Sequence, residues 1–590
     1  MAMNYERNIS FIFCAIGTMD FDHIVLISDL QLILVPLSIV VMVLVSWYFM
    51  KWTRLAAAGP GRKKLKKLQQ LLPPGPKPWP MFGSLFLMDP QEAAHLTFGR
   101  LAEKYGPLML MWMGSSPTLL ISNAAMAESF FKNHDQTFAH RPYMLAGKHL
   151  GFQFSNVVFS SYGPYYSRLR KIYTLELLSP KRVSLSQGLR QIEVRLLLQS
   201  VLKDSLDLQS CSAAGTSGNV RVINMSSKLQ TMGIDNLVRM IFARPNSSKS
   251  TAASLELITS EERDELKAVV KRAVELAGMF YIGDFIPIFR FLDFQGIETQ
   301  MKELSQSMRR IAMHLIEKQR RQLLQGGIGS TEIHGSLASK LNIVEVLLAQ
   351  DGDDKLSDDA MTAIIFDFII AGSDTTSVST EWTLAELLNH PQDLQRAQKE
   401  LDTVVGRERL VEEADIVKLP FLQAIVKESF RLHPPAPLGI PHACKEACRL
   451  GGYDIPANTT AMINIWAIGR DPSHWENPHL FSPQRFLDDD SSACKNVTMF
   501  GKDFQLLPFL TGRRQCPGAQ LGLAVVQLAV ASLLHSFDWS LPSSASDSTT
   551  THHHQPLLSM KEKPGLVTPR ATDLNLIVTP RLPISVYMID

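Results

Sequence analysis

Leu32 to Met50 is an uncharged, apolar run of 19 residues. A helix needs ~20 such residues to cross a bilayer, so the run predicts a membrane anchor. Trp47, Tyr48 and Trp52 suit the interface, and Lys51, Arg54, Arg62, Lys63, Lys64, Lys66 and Lys67 follow at once. The segment before the run carries Glu6, Asp20, Asp22 and Asp29 against Arg7. An excess of positive charge after the run places the remainder in the cytosol. A cleaved signal peptide is the competing reading, and it suits a run this long and this late less well. Leu72 to Pro80 is dense in proline, which fixes φ and resists helix, so it reads as a stiff hinge.

From about residue 90 to 440 the apolar spacing is mostly helical. Short strands are predicted at Leu108–Met113, Thr118–Ile121, Thr460–Ile465 and near the C-terminus. Polar stretches at 243–254 and 325–338 read as surface loops, and 543–554 is low-complexity. His552, His553 and His554 in that last stretch read as solvated, because adjacent histidines do not by themselves converge on one ion.

Ser357-Asp358-Asp359 opens a long periodic segment and His390-Pro391 closes it. A hydroxyl cap, acids in the first turn and a terminal proline predict a helix there, about 50 Å long. It is apolar nearly all round from Met361 to Ile370, so it should cross the core. Its centre, Ala371-Gly372-Ser373-Asp374-Thr375-Thr376, breaks that pattern. Glycine costs about 1 kcal/mol in a helix, a buried acid costs more without a partner, and threonine hydroxyls compete for backbone carbonyls and distort the helix. Local conflict of this kind is expected at working sites. Ala371–Gly372 would leave room for a small ligand, Thr375 could hydrogen-bond it, and Asp374 could feed protons through water. A kinked core helix with incidental polar residues is the plain alternative.

The chain has 590 residues, 45% hydrophobic and 20% charged, with 59 basic against 57 acidic residues. Nothing in that balance suggests nucleic acid. The six cysteines, at 14, 211, 444, 448, 494 and 516, are scattered, which suits a reducing location rather than a disulfide scaffold. His442, Cys444 and Cys448 are spaced as zinc ligands can be, but no fourth ligand is evident.

Cys516 lies in Pro508-Phe509-Leu510-Thr511-Gly512-Arg513-Arg514-Gln515-Cys516-Pro517-Gly518, just before an apolar helix from about Ala519 to Leu534. A thiol on a glycine-bent loop at a helix start should be held as thiolate. A thiolate can ligate haem iron, where it favours O–O cleavage. Gly512 and Gly518 allow backbone close to a flat ligand, Arg514 can pair with a propionate, and Pro517 suits the first helical position. A lone cysteine would otherwise read as a buried structural thiol.

This Phe-x-x-Gly-x-Arg-x-Cys-x-Gly loop resembles the haem-binding signature of the cytochrome P-450 superfamily, with Phe509, Arg514, Cys516 and Gly518 in place. Ala371 to Thr376 is similar to its oxygen-activating helix motif, which implies Asp374 and Thr375 as the catalytic proton-delivery pair. The resemblance implies a mainly α fold with small β-sheets, haem b, dioxygen as co-substrate and electrons from an NADPH-dependent flavoprotein reductase. It also implies that Glu428, Arg431 and Arg485 form a buried charged triad beneath the haem, and that His442 and Arg170 meet its propionates. Tyr166 stands where the family usually has Trp, Leu510 where a small residue is usual, and Gln484 where Glu is frequent. Asp284 to Pro287 and Leu292 to Gly296 resemble plant microsomal A-type members, including flavonoid-type hydroxylases.

The resulting expectation is a short N-terminal segment (1–31), an anchor (32–50), a basic and proline-rich hinge (51–80) and one haem-thiolate domain (81–590). It would sit on the endoplasmic reticulum membrane, facing the cytosol. It would insert one oxygen atom from O2 into a hydrophobic or aromatic small molecule. Parts of Tyr143–Phe159, Phe366–Ala371, Ala436–Ile440 and the segment after Leu566 would form the pocket wall, and they are mostly apolar. Arg168, Lys171 and Arg513 would offer positive charge to the reductase, or be ordinary surface residues. A reductase-independent isomerase or dehydratase of the same family, and a non-catalytic haem-binding protein, are the alternatives.

Overall fold

The computed structural model describes residues 71–212, 222–244, 259–325, 341–350, 355–487, 494, 496–542 and 558–588, with Met42 alone before them. The anchor, the basic patch and the 543–554 stretch therefore lie outside the described residues. The longer helices are α1 (Ala94–Tyr105), α2 (Ala124–His134), α3 (Pro164–Lys171), α4 (Gln187–Ser212), α5 (Met225–Phe242), α6 (Ser260–Gly278), α7 (Ile297–Gln325), α8 (Asp358–Asn389), α9 (Pro391–Val404), α10 (Pro420–Leu432) and α11 (Ala519–Ser536). The strands are β1 (Leu108–Met113), β2 (Ser116–Ile121), β3 (Ile223–Asn224), β4 (His442–Ala443), β5 (Cys448–Leu450), β6 (Tyr453–Ile455), β7 (Thr460–Ile463), β8 (Phe537–Ser540) and β9 (Asn575–Pro580). They make a sheet in the order β1-β2-β7-β4, a smaller one in the order β3-β9-β8, and the β5-β6 hairpin. The fold is thus mainly helical with small sheets.

The sheet and the helices are joined by short-range chemistry. β1 and β2 pair antiparallel from Leu108↔Ile121 to Met113↔Ser116, and β2 runs parallel to β7. The proline-rich segment lies along β1, where Pro74 accepts from Leu110 N at 2.9 Å. Gly75 permits that approach, since a Cβ there would meet Leu110 O at 1.8 Å.

α8 is the axis of the large helical core. Ser357 caps it, its side chain accepting from Ala360 N at 3.2 Å, and Asp358 and Asp359 complement the first turn. Fully buried side chains such as Phe366, Ile369 and Trp382 hold it in place. Each such burial contributes about 1.5–3 kcal/mol. The helix is continuous over its 32 residues. The predicted competition for backbone carbonyls is present: Ser373, Thr375, Thr376, Ser377, Ser379, Thr380 and Thr383 each donate to the carbonyl four residues back, at 2.5–2.8 Å.

Candidate active site

The loop before α11 closes on itself. Cys516 N donates to Phe509 O at 3.0 Å, bringing the thiol residue back beside Phe509. Phe509 stacks on Phe500, with ring centroids 6.1 Å apart and planes at 9°. Gly512 adopts φ 76°, and a Cβ there would lie 2.3 Å from Asp135 Oδ1. The glycine lets Asp135 accept from Arg513 N at 3.0 Å and pair with the Arg513 guanidinium at 2.7 Å. Arg513, read as a possible docking charge, is therefore neutralised locally; Lys171 on α3 is exposed. Leu510 takes φ 53°, an uncommon conformation for a branched residue, and packs its buried side chain against Gly439.

Cys516 is exposed just before the start of α11. Burial pushes the Cys516 pKa up, against the lowering effects of a backbone hydrogen bond from Gly518 and of the Arg170 charge. A positive partner such as a metal ion, which deprotonates a coordinating thiol outright, would hold it as thiolate.

Around the thiol stands a set of cations. Arg514 is buried and donates to Ala139 O at 2.7 Å, Val157 O at 3.2 Å and Ser160 O at 2.6 Å. Arg141, which motif reading missed, donates to Val158 O, Ile440 O and Pro441 O. Burial and Arg514 depress its pKa to about 9. His442 on β4 is buried, its Nδ1 3.0 Å from Phe138 O, while its Nε2 has no hydrogen-bond partner among the described residues. Burial, Arg141 and Arg514 push its pKa down to about 3. Tyr166 Oη donates to Arg513 O at 2.6 Å, and its ring lies 3.8 Å from the Arg514 guanidinium carbon. An enclosed group of guanidiniums with an unpartnered imidazole nitrogen is the environment an anion would relieve.

α8 supplies the opposite wall. Ala371 is exposed and Gly372, Asp374 and Thr375 are half-buried, at the centre of a helix buried on either side. Thr375 Oγ1 donates to Ala371 O at 2.7 Å. Asp374 takes no hydrogen bond from any described residue, and burial raises its pKa to about 6. Gly372 has a different purpose from the one its motif suggested. Its missing side chain admits Leu237 of α5, whose Cδ1 would be 2.7 Å from a Cβ there, whereas Ala371 is the residue that faces open space. α11 returns to this region, since a Cβ on Gly522 would lie 3.9 Å from Thr376 Cγ2. The residue that approaches α8 is therefore six positions beyond the thiol.

Haem fits these residues. Cys516 and Arg141 are enclosed by protein yet partly accessible, as groups lining an interior cleft are. A Cβ on Gly518 would meet no described atom within 4 Å, so open space lies two residues from the thiol. The cations suit carboxylates, and the thiol suits iron.

Glu428, Arg431 and Arg485 are brought together. Arg431 clasps Glu428 through two bonds of 2.7 Å, and Arg485 Nε lies 3.0 Å from Glu428 Oε1. Arg431 also donates to Gly469 O and Pro478 O, so the buried charges are satisfied. The zinc-like spacing is otherwise employed: His442 bonds Phe138 O and Cys444 Sγ lies 3.4 Å from Pro456 O. Asp284, in the segment read for substrate, accepts from Leu145 N at 2.9 Å and so ties that segment to the 143–159 wall. A further buried acid, Asp367, accepts from Asn156 Nδ2 at 2.7 Å and Val157 N at 3.1 Å and holds the same wall to α8.

Comparison with known proteins agrees with this geometry. The family model described as Cytochrome P450 matches residues 73–569. "Cytochrome P450 98A1" of Sorghum bicolor is 35% identical over 511 residues, 87% of this chain and 92% of that protein. "Flavonoid 3'-monooxygenase" of Petunia hybrida is 35% identical over 520 residues, 88% of this chain and 94% of that protein. A solved zebra fish cytochrome P450 with abiraterone superposes with a TM-score of 0.59 at 25% identity, covering 83% of this chain and 100% of that one. With a thiol loop, a cationic cluster and an accessible helix centre arranged on that fold, the chain belongs to the cytochrome P450 family, is of the plant A-type kind, and is a haem-thiolate monooxygenase.

Proposed function

We propose that this enzyme hydroxylates a hydrophobic, aromatic small molecule of the phenolic class, with electrons from an NADPH-dependent reductase on the endoplasmic reticulum membrane. The observation that carries the reading is the break in burial at Ala371–Thr375, on the helix against which the Cys516-bearing segment returns. Cys516 would hold the iron of haem b, with Phe509 and Gly518 beside it, and Arg141, Arg170, Arg514 and His442 would hold its carboxylates. Bound there, haem supplies dioxygen activation: one oxygen atom enters a C–H bond and the other leaves as water, with two electrons and two protons taken up.

The chain's own residues do the rest. Thr375 must release Ala371 O to turn its hydroxyl toward the cleft, and Asp374, with its raised pKa, can carry a proton at near-neutral pH. Tyr166 holds the thiol loop to α3 from outside the cleft. The Glu428–Arg431–Arg485 cluster is structural.

Relatives named as flavonoid 3'-monooxygenase and flavonoid 3',5'-hydroxylase, at about 35% identity, support the phenolic class. Membrane attachment is supported by the Leu32–Met50 run, and by Trp79, Ile288, Phe291 and Phe294, which stay exposed where residues 81–88 and 282–289 share one apolar cluster.

The test is the reduced, carbon-monoxide-bound spectrum of the full chain, followed by turnover of a flavonoid and phenylpropanoid panel with NADPH and reductase. A thiolate-type Soret band that Cys516→Ser abolishes, with hydroxylated product, is expected. A band typical of neutral histidine ligation, or product formation without reductase, would overturn the reading.

A further inference from the structure

One buried acid on α8, Glu381, has no part in anything described so far. Glu381 is buried seven residues beyond Asp374, two turns along the same face, a rise of about 10 Å. Ser377 lies between them on that face, its Oγ 2.7 Å from Ser373 O and 2.9 Å from Leu229 O of α5. At its far end, Glu381 Oε1 accepts from Ser226 Oγ at 2.8 Å. Ser226 is half-exposed at the start of α5 and accepts from Leu574 N at 2.8 Å.

We infer that Glu381 is a proton-relay residue that resupplies Asp374, with Ser226 as the point of entry from solvent. The inference rests on the monooxygenase reading given above. One proton passes from solvent to the Ser226 hydroxyl as that hydroxyl gives its own to Glu381, and Glu381 releases one to the Ser377 hydroxyl as Ser377 gives its own toward Asp374. No electrons move, and only O–H bonds form and break. Glu381 acts through Asp374 and is not itself a catalytic residue.

The surroundings suit such a part. Burial raises the Glu381 pKa to about 7, so the group exchanges protons near neutrality. The charged groups facing it are Arg570, which favours the anion, and Asp573 and Asp374, which disfavour it. Arg570 is buried and has two guanidinium nitrogens without a hydrogen-bond partner, so it does not lock Glu381 into a closed ion pair. A purely structural acid at this depth would be expected to pair with that cation.

The experiment compares wild type, Glu381→Gln, Glu381→Asp and Ser226→Ala as full-length, haem-loaded enzymes with reductase. Glu381→Gln keeps the acceptor for Ser226 but carries no proton. It should lower product per NADPH about fivefold, raise peroxide release and increase the solvent deuterium isotope effect. Glu381→Asp should restore at least half of the coupling. Infrared titration of the resting enzyme supplies a readout without turnover: the difference spectrum of wild type minus Glu381→Gln should hold a protonated-carboxyl band that titrates near neutral pH, separate from those of Asp367 and Asp374, which remain in the variant. Should Glu381→Gln not fold, Ser226→Ala should slow exchange of that band with D2O and raise the isotope effect. Unchanged coupling and isotope effect in a folded variant, or no such band in wild type, would overturn the relay. Loss of all NADPH-dependent product in wild type, with the band present, would instead count against the proposed function.

Discussion

Tyr166 Oη donates to the backbone carbonyl of Arg513 at 2.6 Å, across 347 positions of sequence, and so fastens α3 to the loop that carries Cys516. An indole at this position would present its N–H elsewhere on the ring, so the phenol is a distinct solution to the same fastening. We predict that Tyr166→Phe, which keeps the ring over Arg514, costs about 1–2 kcal/mol and speeds hemin loss severalfold. Stopped-flow transfer of hemin to an apo-acceptor measures it; an unchanged rate would show that the bond is incidental.

Thr375 rests with its hydroxyl on Ala371 O. Thr375→Ala should leave NADPH oxidation largely intact while product falls about tenfold and peroxide takes its place, the result of losing a positioned proton donor. Thr375→Ser should retain most product. Equal product yields for alanine and serine would remove the hydroxyl from the mechanism.

Glu428 faces two arginines in full burial. Removing its charge strands Arg431, so Glu428→Gln should cost about 3–5 kcal/mol, seen as a lower urea midpoint. Loss of under 1 kcal/mol would mean that the arginines find other partners.

Asp367 provides a pH test. Burial raises its pKa from 3.8 to about 7 in the folded chain. The folded state therefore holds this proton more tightly than the unfolded state. Its contribution to stability is complete below about pH 4 and is lost as pH rises through about 7. Asp367→Asn cannot ionise, so its stability curve should be flatter across that window by on the order of 1 kcal/mol or more. Parallel curves for wild type and variant, measured by chemical denaturation, would refute the assignment.

Much of this was legible in residue order. Ser357 and His390 mark the ends of α8 because caps and prolines act locally, and β1 was bounded to the residue. The thiol loop was legible because glycine, arginine and cysteine occur at fixed offsets. What escaped reading depends on distant partners. Arg141 sits in a loop without periodicity; its only signal is an arginine before a proline in a largely apolar stretch. Asp135 is nearly 380 residues from the loop it braces. Gly372 looked like room for a ligand and proved to be room for Leu237, since a hexapeptide cannot show which helix lies beside it.

Arg141, Arg514 and His442 crowd one another in the interior: Arg514 lowers the proton affinity of Arg141, and both lower that of His442. Such a chain closes reluctantly until a dianionic pigment arrives, so folding and pigment capture become one equilibrium. Adding hemin to pigment-depleted protein should raise its melting temperature in a dose-dependent way. When porphyrin runs short, the surplus polypeptide would be the fraction that proteases remove first, and the level of enzyme would follow pigment synthesis rather than translation.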